Sequence, residues 1–348
     1  MKMSTHFSHL VLGFLSIALV TGCTGGEQGN SLLPDTSGPG PLGQTYPGEK
    51  AELFASGIAS TGLSSRDVTI TPEGNEVCFA LSSHDFSYAS LFISKKTEAG
   101  WTQPTILPFA TNSKYIFYEP AFSPDGKRIY FLSNRPADGE GAPVSEDIWY
   151  SERTENGWGK PVNAGAGVNT ASNEFFASLT NDGTLYFTRA DTSDGREYIY
   201  RAKRQADTFA NAKRLPRQVN CGTTQFNAFV APDESYVIVP AFGRDDSFGG
   251  ADYYISFRNE ADEWSEPQNM GSRVNSAAQA EWSPYVSPDG NYFFFMSNRI
   301  PDKARQKRMS YAFFDSLQTN PYNGTSNTFW IQATFIDSLK ANAVFSRN

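Results

Sequence analysis

The chain has 348 residues, 39% hydrophobic and 14% aromatic, with 37 acidic against 29 basic side chains and a formal net charge of −8. That is enough apolar sequence for the core of a folded domain, while the acidic balance excludes a surface of the usual nucleic-acid-binding kind, where cationic contacts to phosphate dominate affinity. Two of the three histidines, His6 and His9, fall at the extreme N-terminus, so a histidine metal cluster is excluded and a serine triad would rest on His84 alone.

From the N-terminus, Lys2 precedes an apolar run over residues 10–20 that ends in Thr21, Gly22 and Cys23. The run is too short for a bilayer core, which takes about 20 residues, and reads as the core of a signal peptide spanning residues 1–22. Val20-Thr21-Gly22-Cys23 resembles the lipobox of bacterial lipoproteins. That resemblance implies cleavage before Cys23 and acylation of its thiol and new amine. Several acyl chains on one residue give stable anchoring. Thr24, where an aspartate is associated with inner-membrane retention, favours an outer-membrane anchor in a Gram-negative source. Residues 23–50 are rich in Gly, Pro, Ser and Thr and are expected to form the lipidated cysteine and a flexible tether. The folded domain is expected over 51–348. Cys78 and Cys221 fall in separate units of the repeat described next, which predicts two small buried hydrophobes rather than a disulfide.

One pattern returns five times after the tether. Its turn reads TPEG from Thr71, SPDG from Ser123, TNDG from Thr180, APDE from Ala231 and SPDG from Ser287. A repeat of roughly 50 residues indicates a propeller or solenoid. Each unit predicts four strands: one before the turn, one after it with alternating apolar residues, an aromatic third (DIWYSER from Asp147), and a fourth after a Trp-Pro signature (GWGKP from Gly157). In the turn, Pro sets the first corner, Asp bonds its own downstream amide and Gly takes a crowded conformation. Glu73, Asp125, Asp182, Asp233 and Asp289 are therefore structural turn residues. DTSDGREY from Asp191 clusters oxygens but lacks calcium-loop spacing, and predicts a hairpin loop.

Four-stranded units repeated around an axis make an all-β propeller. The last unit lacks a fourth strand, whereas residues 51–60 resemble one without a unit of their own. The expected solution is five blades, with six left open, and a ring closed by the N-terminal strand. The stretches EPAFSPDGKRIYFLSNR from Glu119, DIWYSER and GWGKPVN resemble the PD40 family, the WD40-like propeller repeats of the TolB type. The resemblance runs from Ala51 to the end, with Asn181 and Phe209 departing from it in the third unit. It implies a monomeric propeller in a lipoprotein and, by analogy, a role in envelope assembly or scaffolding.

Asp67, Glu119, Glu174, Gln225 and Glu281 stand at the starts of the innermost strands, where carboxylates can converge on the central channel. Two readings follow. In one they cap strands or pair with arginines such as Arg66 and Arg135, and Glu119, Glu174 and Glu281 belong to a binding mouth. In the other, Asp67, Glu119 and Glu174 form the acid and nucleophile of a glycosidase, although Glu174 is two positions out of register with Glu119. Between Asn298 and Asn327 the fifth unit carries a long insertion in which Lys303, Arg305, Lys307 and Arg308 cluster, suited to an acidic partner or the membrane surface. The expected function is a lipid-anchored envelope propeller that binds a protein or glycan without catalysis, cofactor or metal. An extracytoplasmic carbohydrate-active enzyme is the alternative.

Overall fold

The computed structural model describes Leu33 and residues 38–346; the expected signal peptide, residues 1–22, and Cys23 lie outside the described residues. Five antiparallel sheets form a five-bladed β-propeller. Blade I contains Ser64–Ile70, Glu76–Ser82, Ala89–Thr97 and an outer strand split into Gly100–Trp101 and Thr105–Ile106. Blade II contains Phe117–Phe122, Arg128–Ser133, Asp147–Thr154 and the outer pieces Gly157–Trp158 and Val162–Asn163. Blade III is Glu174–Leu179, Leu185–Asp191, Arg196–Ala202 and Lys213–Arg214. In blade IV the inner strand is itself broken into Thr224–Gln225 and Phe229–Val230, followed by Tyr236–Phe242, Asp252–Phe257 and Gln268–Asn269. Blade V comprises Glu281–Val286, Tyr292–Ser297, Asn327–Gln332 and, from the other end of the chain, Glu52–Leu53.

That last pairing closes the ring as the repeat predicts. Glu52 lies opposite Trp330 and Leu53 opposite Phe329 in antiparallel register, and the following Phe54, fully buried, packs edge-on against Phe294 and Trp330. The blades otherwise pack face to face through the alternating apolar residues. Leu91, Phe117, Phe131 and Trp149 share the core between blades I and II, and Ile238, Tyr253, Phe293 and Phe329 share that between IV and V.

The turns behave as their chemistry dictates. Asp125 Oδ1 accepts from Ser123 Oγ at 2.6 Å and Lys127 N at 3.0 Å; Asp182 does the same for Thr180 and Thr184. Gly74, Gly126, Gly183 and Gly290 all take a left-handed φ. In the fourth turn Glu234 occupies that position at φ 58°; its carboxylate bonds Tyr186 Oη at 2.7 Å and pairs with Arg258 from blade IV's own edge. A side chain with two partners thus stands where the other repeats use glycine.

Three features depart from expectation. Part of the expected tether is seated on the propeller: Leu42 is fully buried beside Phe54 and Trp330, Leu33 N donates to Trp101 O, and Tyr46 stacks on Tyr292 at 4.6 Å. The insertion at 298–327 is not an irregular loop but carries two short helices, Asp302–Arg305 and Tyr311–Ser316. It leans on Gly62, whose missing Cβ would stand 1.8 Å from Gln318 O, and Asn323 Nδ2 donates to Gly62 O at 2.9 Å. Cys221 is only partly buried, whereas Cys78 is fully so, and both are free thiols. A helix, Phe335–Ala341, follows the last strand of blade V. No helix among the described residues is long and apolar enough to cross a membrane.

Candidate functional site

Every blade's inner strand breaks register at one point. In blades I, II, III and V the pairing shifts after Arg66, Tyr118, Phe175 and Trp282 respectively, and in blade IV the strand is interrupted between Gln225 and Phe229. At each break one residue is left-handed: Asp67 (φ 60°), Glu119 (57°), Phe176 (56°), Asn227 (51°) and Ser283 (52°). A bulge re-aims side chains locally. Left-handed backbone costs a non-glycine residue roughly 1–2 kcal/mol, so five such residues persist only where their surroundings over-determine them.

Hydrogen bonds supply that determination and join the ring from blade to blade. Glu119 N donates to Asp67 Oδ2 at 3.3 Å and Phe176 N to Glu119 Oε2 at 2.7 Å. Asn227 Nδ2 reaches both Glu119 Oε1 and Ser283 Oγ at 3.4 Å, and Ser283 Oγ donates to Asp67 Oδ1. In the middle lies Arg66, only 11% exposed, with Nε on Asp67 Oδ2 and Nη2 on Glu119 Oε1, each at 2.7 Å. Its guanidinium also lies over Tyr118 and Trp282, 5.3 and 5.6 Å from the ring centroids. Burial pushes the Glu119 carboxyl above the usual range. Arg66 opposes this, while the charges of Asp67 and Glu146 add to it.

The ring divides the channel into two cavities. On the turn side a space of ≈ 320 Å³ is lined by Asp67, Glu119, Phe176 and Ser283 and by the turn prolines Pro124, Pro232 and Pro288. On the opposite side a mouth of ≈ 440 Å³ has Arg66, Glu119 and Asn227 in its lining, with Tyr118, Phe175, Phe226 and Trp282 from the positions preceding the left-handed residues. Glu146, Glu197 and Phe242 also line it. Both volumes suit a small ligand or the tip of a larger one.

Asp67 and Glu119 are thus brought together, and Glu174 is not with them. Glu174, Gln225 and Glu281 stand two residues before the left-handed position of their blades, and their side chains turn to the incoming loop instead. Glu174 accepts from Thr170 N, Thr170 Oγ1 and Arg189 Nε; Glu281 accepts from Ser276 N, Ser276 Oγ and Arg299 Nη2; Gln225 accepts from Gly222 N. Burial raises Glu174 and brings Glu281 to about 7. Both are fully buried and line neither cavity. Arg66 pairs as expected. Arg135 instead lies over the Trp149 ring at 5.0 Å.

No family model matches the chain, and no curated protein matches it in sequence. Solved structures resemble it loosely, at low identity. TolB from Acinetobacter baumannii is 13% identical over 77% of this chain and 57% of that one, with a TM-score of 0.43; the chain spans little more than half of that TolB. The arabinanase of Bacillus subtilis is 12% identical over 77% of this chain and 93% of its own, TM-score 0.47. An α-L-arabinofuranosidase catalytic domain from Coprinopsis cinerea is 12% identical over 88% and 97%, TM-score 0.45. None of these likenesses bears on chemistry.

Lys303, Arg305, Lys307 and Arg308 lie together on the insertion, all exposed, beside Met309 at 75%, Tyr311 at 89% and Phe314 at 57% exposure. His84 is exposed in its loop. Among the described residues no group of three or more His, Cys, Asp or Glu side chains is arranged to hold a metal ion. Sequence reasoning missed the aromatic residues that precede the left-handed position in four of the five blades, and the carboxylates Glu146 and Glu197. The signal available was positional: Arg66, Tyr118, Phe175, Phe226 and Trp282 occupy one place in five aligned repeats.

Proposed function

We propose that this is a lipid-anchored envelope protein whose propeller binds a protein or glycan partner at its aromatic mouth without catalysis. One observation carries the reading. All four carboxyl oxygens of Asp67 and Glu119 already have donors: Arg66 and the Glu119 amide on Asp67 Oδ2, Ser283 on Asp67 Oδ1, Arg66 and Asn227 on Glu119 Oε1, and the Phe176 amide on Glu119 Oε2. A glycosidase pair keeps its carboxyls apart with the sugar or a water between them. Here one guanidinium binds both, and the pair serves to hold five strained bulges in place.

The raised pKa of Glu119 is the observation that favours the enzyme reading, since a general acid must hold its proton near neutrality. Membrane attachment through Cys23 and an outer-membrane location are supported by the sequence of the first 24 residues. Docking of an acidic partner on the Lys303–Arg308 cluster is supported by its exposure and by the protein's otherwise acidic surface. The test uses residues 31–348 as immobilised bait in solubilised envelope extract, followed by mass spectrometry of captured proteins and glycans. A reproducible partner, lost on substituting Phe226 or on neutralising the insertion's cations, supports binding. A captured glycan that wild type shortens and Glu119→Gln leaves intact overturns it.

A further inference from the structure

The mouth carries more negative charge than its single arginine can match. Arg66 is already shared between Asp67 and Glu119. Two more carboxylates, Glu146 and Glu197, line the same cavity half-buried, and neither forms an ion pair among the described residues. Glu197 accepts one hydrogen bond, from Thr224 Oγ1 at 3.0 Å. Burial and the charge of Glu197 pull the Glu146 carboxyl upward, with Arg66 opposing. Burying a carboxylate without a counter-ion is costly. The wall beside them is aromatic: Phe226 meets Phe242 at 5.8 Å and Trp282 edge-on at 5.5 Å.

We infer that the mouth is a site for an organic cation, an ammonium group carried on an apolar body. The ammonium would sit between Glu146 and Glu197, neutralising charge that the protein leaves unpaired. The body would lie against Phe175, Phe226 and Phe242, where an aromatic face also attracts cations. An anionic ligand would meet uncompensated carboxylates, and a neutral one would leave them unpaired. The inference rests on the binding role proposed above, and it assigns that role a ligand class.

The test is calorimetric titration of residues 31–348 with three probes of similar shape: benzyltrimethylammonium, benzyl alcohol and benzoate. The cation should bind at least about tenfold more tightly than either control. Glu146→Gln with Glu197→Gln should remove most of that preference, as loss of two charge contacts predicts. Phe226→Ala, checked for folding by circular dichroism, should weaken all probes that use the mouth. Equal binding of cation and alcohol, both lost in Phe226→Ala, would overturn the cation while keeping the mouth as a binding site. A cation preference unchanged in the double variant would also overturn it, and failure of all three probes would overturn the inference for this class of ligand. If the preference holds, competition by a lysine-bearing acetylated pentapeptide would identify a protein side chain as the source, and competition only by free amines a small solute.

Discussion

Replacing Arg66 with methionine removes the cation at the centre of the ring while keeping a side chain of similar length. Asp67 and Glu119 are 1% and 5% exposed at the side chain, so solvent cannot screen the charges left behind. Breaking a buried pair costs about 3–5 kcal/mol. For a domain of this size, roughly 2 °C per kcal/mol, that is a fall in Tm of about 6–10 °C. The loss should depend on pH. Glu119 already titrates above its unfolded value, and Arg66→Met removes the charge that opposes this. The native state then holds a proton to higher pH than the unfolded chain, so stability rises as pH falls through the folded pKa towards about 4.5. Melts followed by circular dichroism should show the larger loss near pH 9.5, above the wild-type carboxyl at about 8, and a clearly smaller one near pH 5, where both proteins hold the proton. Arg66→Met with Glu119→Gln should recover part of the difference at pH 9.5. Equal losses at both pH values, or a loss below about 1 kcal/mol, would refute the view that Arg66 holds a buried carboxylate pair.

Further outcomes follow from other parts of the molecule. In the wild type, Glu119, Glu146, Glu174 and Glu281 are raised by burial, whereas the turn residues Asp125, Asp182 and Asp289 are lowered by their hydroxyl and amide donors. Raised carboxyls add stability as pH falls towards about 4.5, and lowered ones lose theirs below about 4; Tm should therefore peak near pH 5, and a steady rise from pH 5 to 8 would contradict the assignment. Phe54→Ala opens a cavity at the ring closure and should cost about 3–5 kcal/mol by urea unfolding. Asp125→Ala removes two turn bonds and should cost only about 1 kcal/mol, with ligand capture unchanged. Neutralising Lys303, Arg305, Lys307 and Arg308 should leave stability within about 0.5 kcal/mol while weakening partner capture.

The blade count and ring closure were legible because both are written in local chemistry. Five turns carry a side-chain acceptor followed by a left-handed position, and residues 51–60 supply an outer strand without a blade. The bulges were not legible. Their left-handed residues are Asp, Glu, Phe, Asn and Ser, of differing size and polarity and none a glycine, so no single residue type marks the position. The two-residue offset of Glu174 from Glu119 was visible in the alignment of turns, and its meaning becomes physical in the fold: one residue sits at the bulge and faces the channel, the other precedes it and holds a loop. Arginines confirm the division, since Arg189 in the second strand of blade III and Arg299 just after that of blade V serve the loop glutamates, whereas Arg66 serves the ring from the inner strand itself. The seated segment around Leu42 was hidden by composition. Glycine and proline dominate it, and a few scattered residues, Leu33, Leu42 and Tyr46, supply the contacts.

The account turns on whether Asp67 and Glu119 hold the ring or act on a substrate. The most direct measurement incubates wild-type protein and Glu119→Gln with the glycan fraction captured at the mouth and compares chain lengths by mass spectrometry. The account predicts glycans of unchanged length with both proteins. Shortening by wild type that disappears in a folded Glu119→Gln variant would contradict it and make the carboxylate pair catalytic.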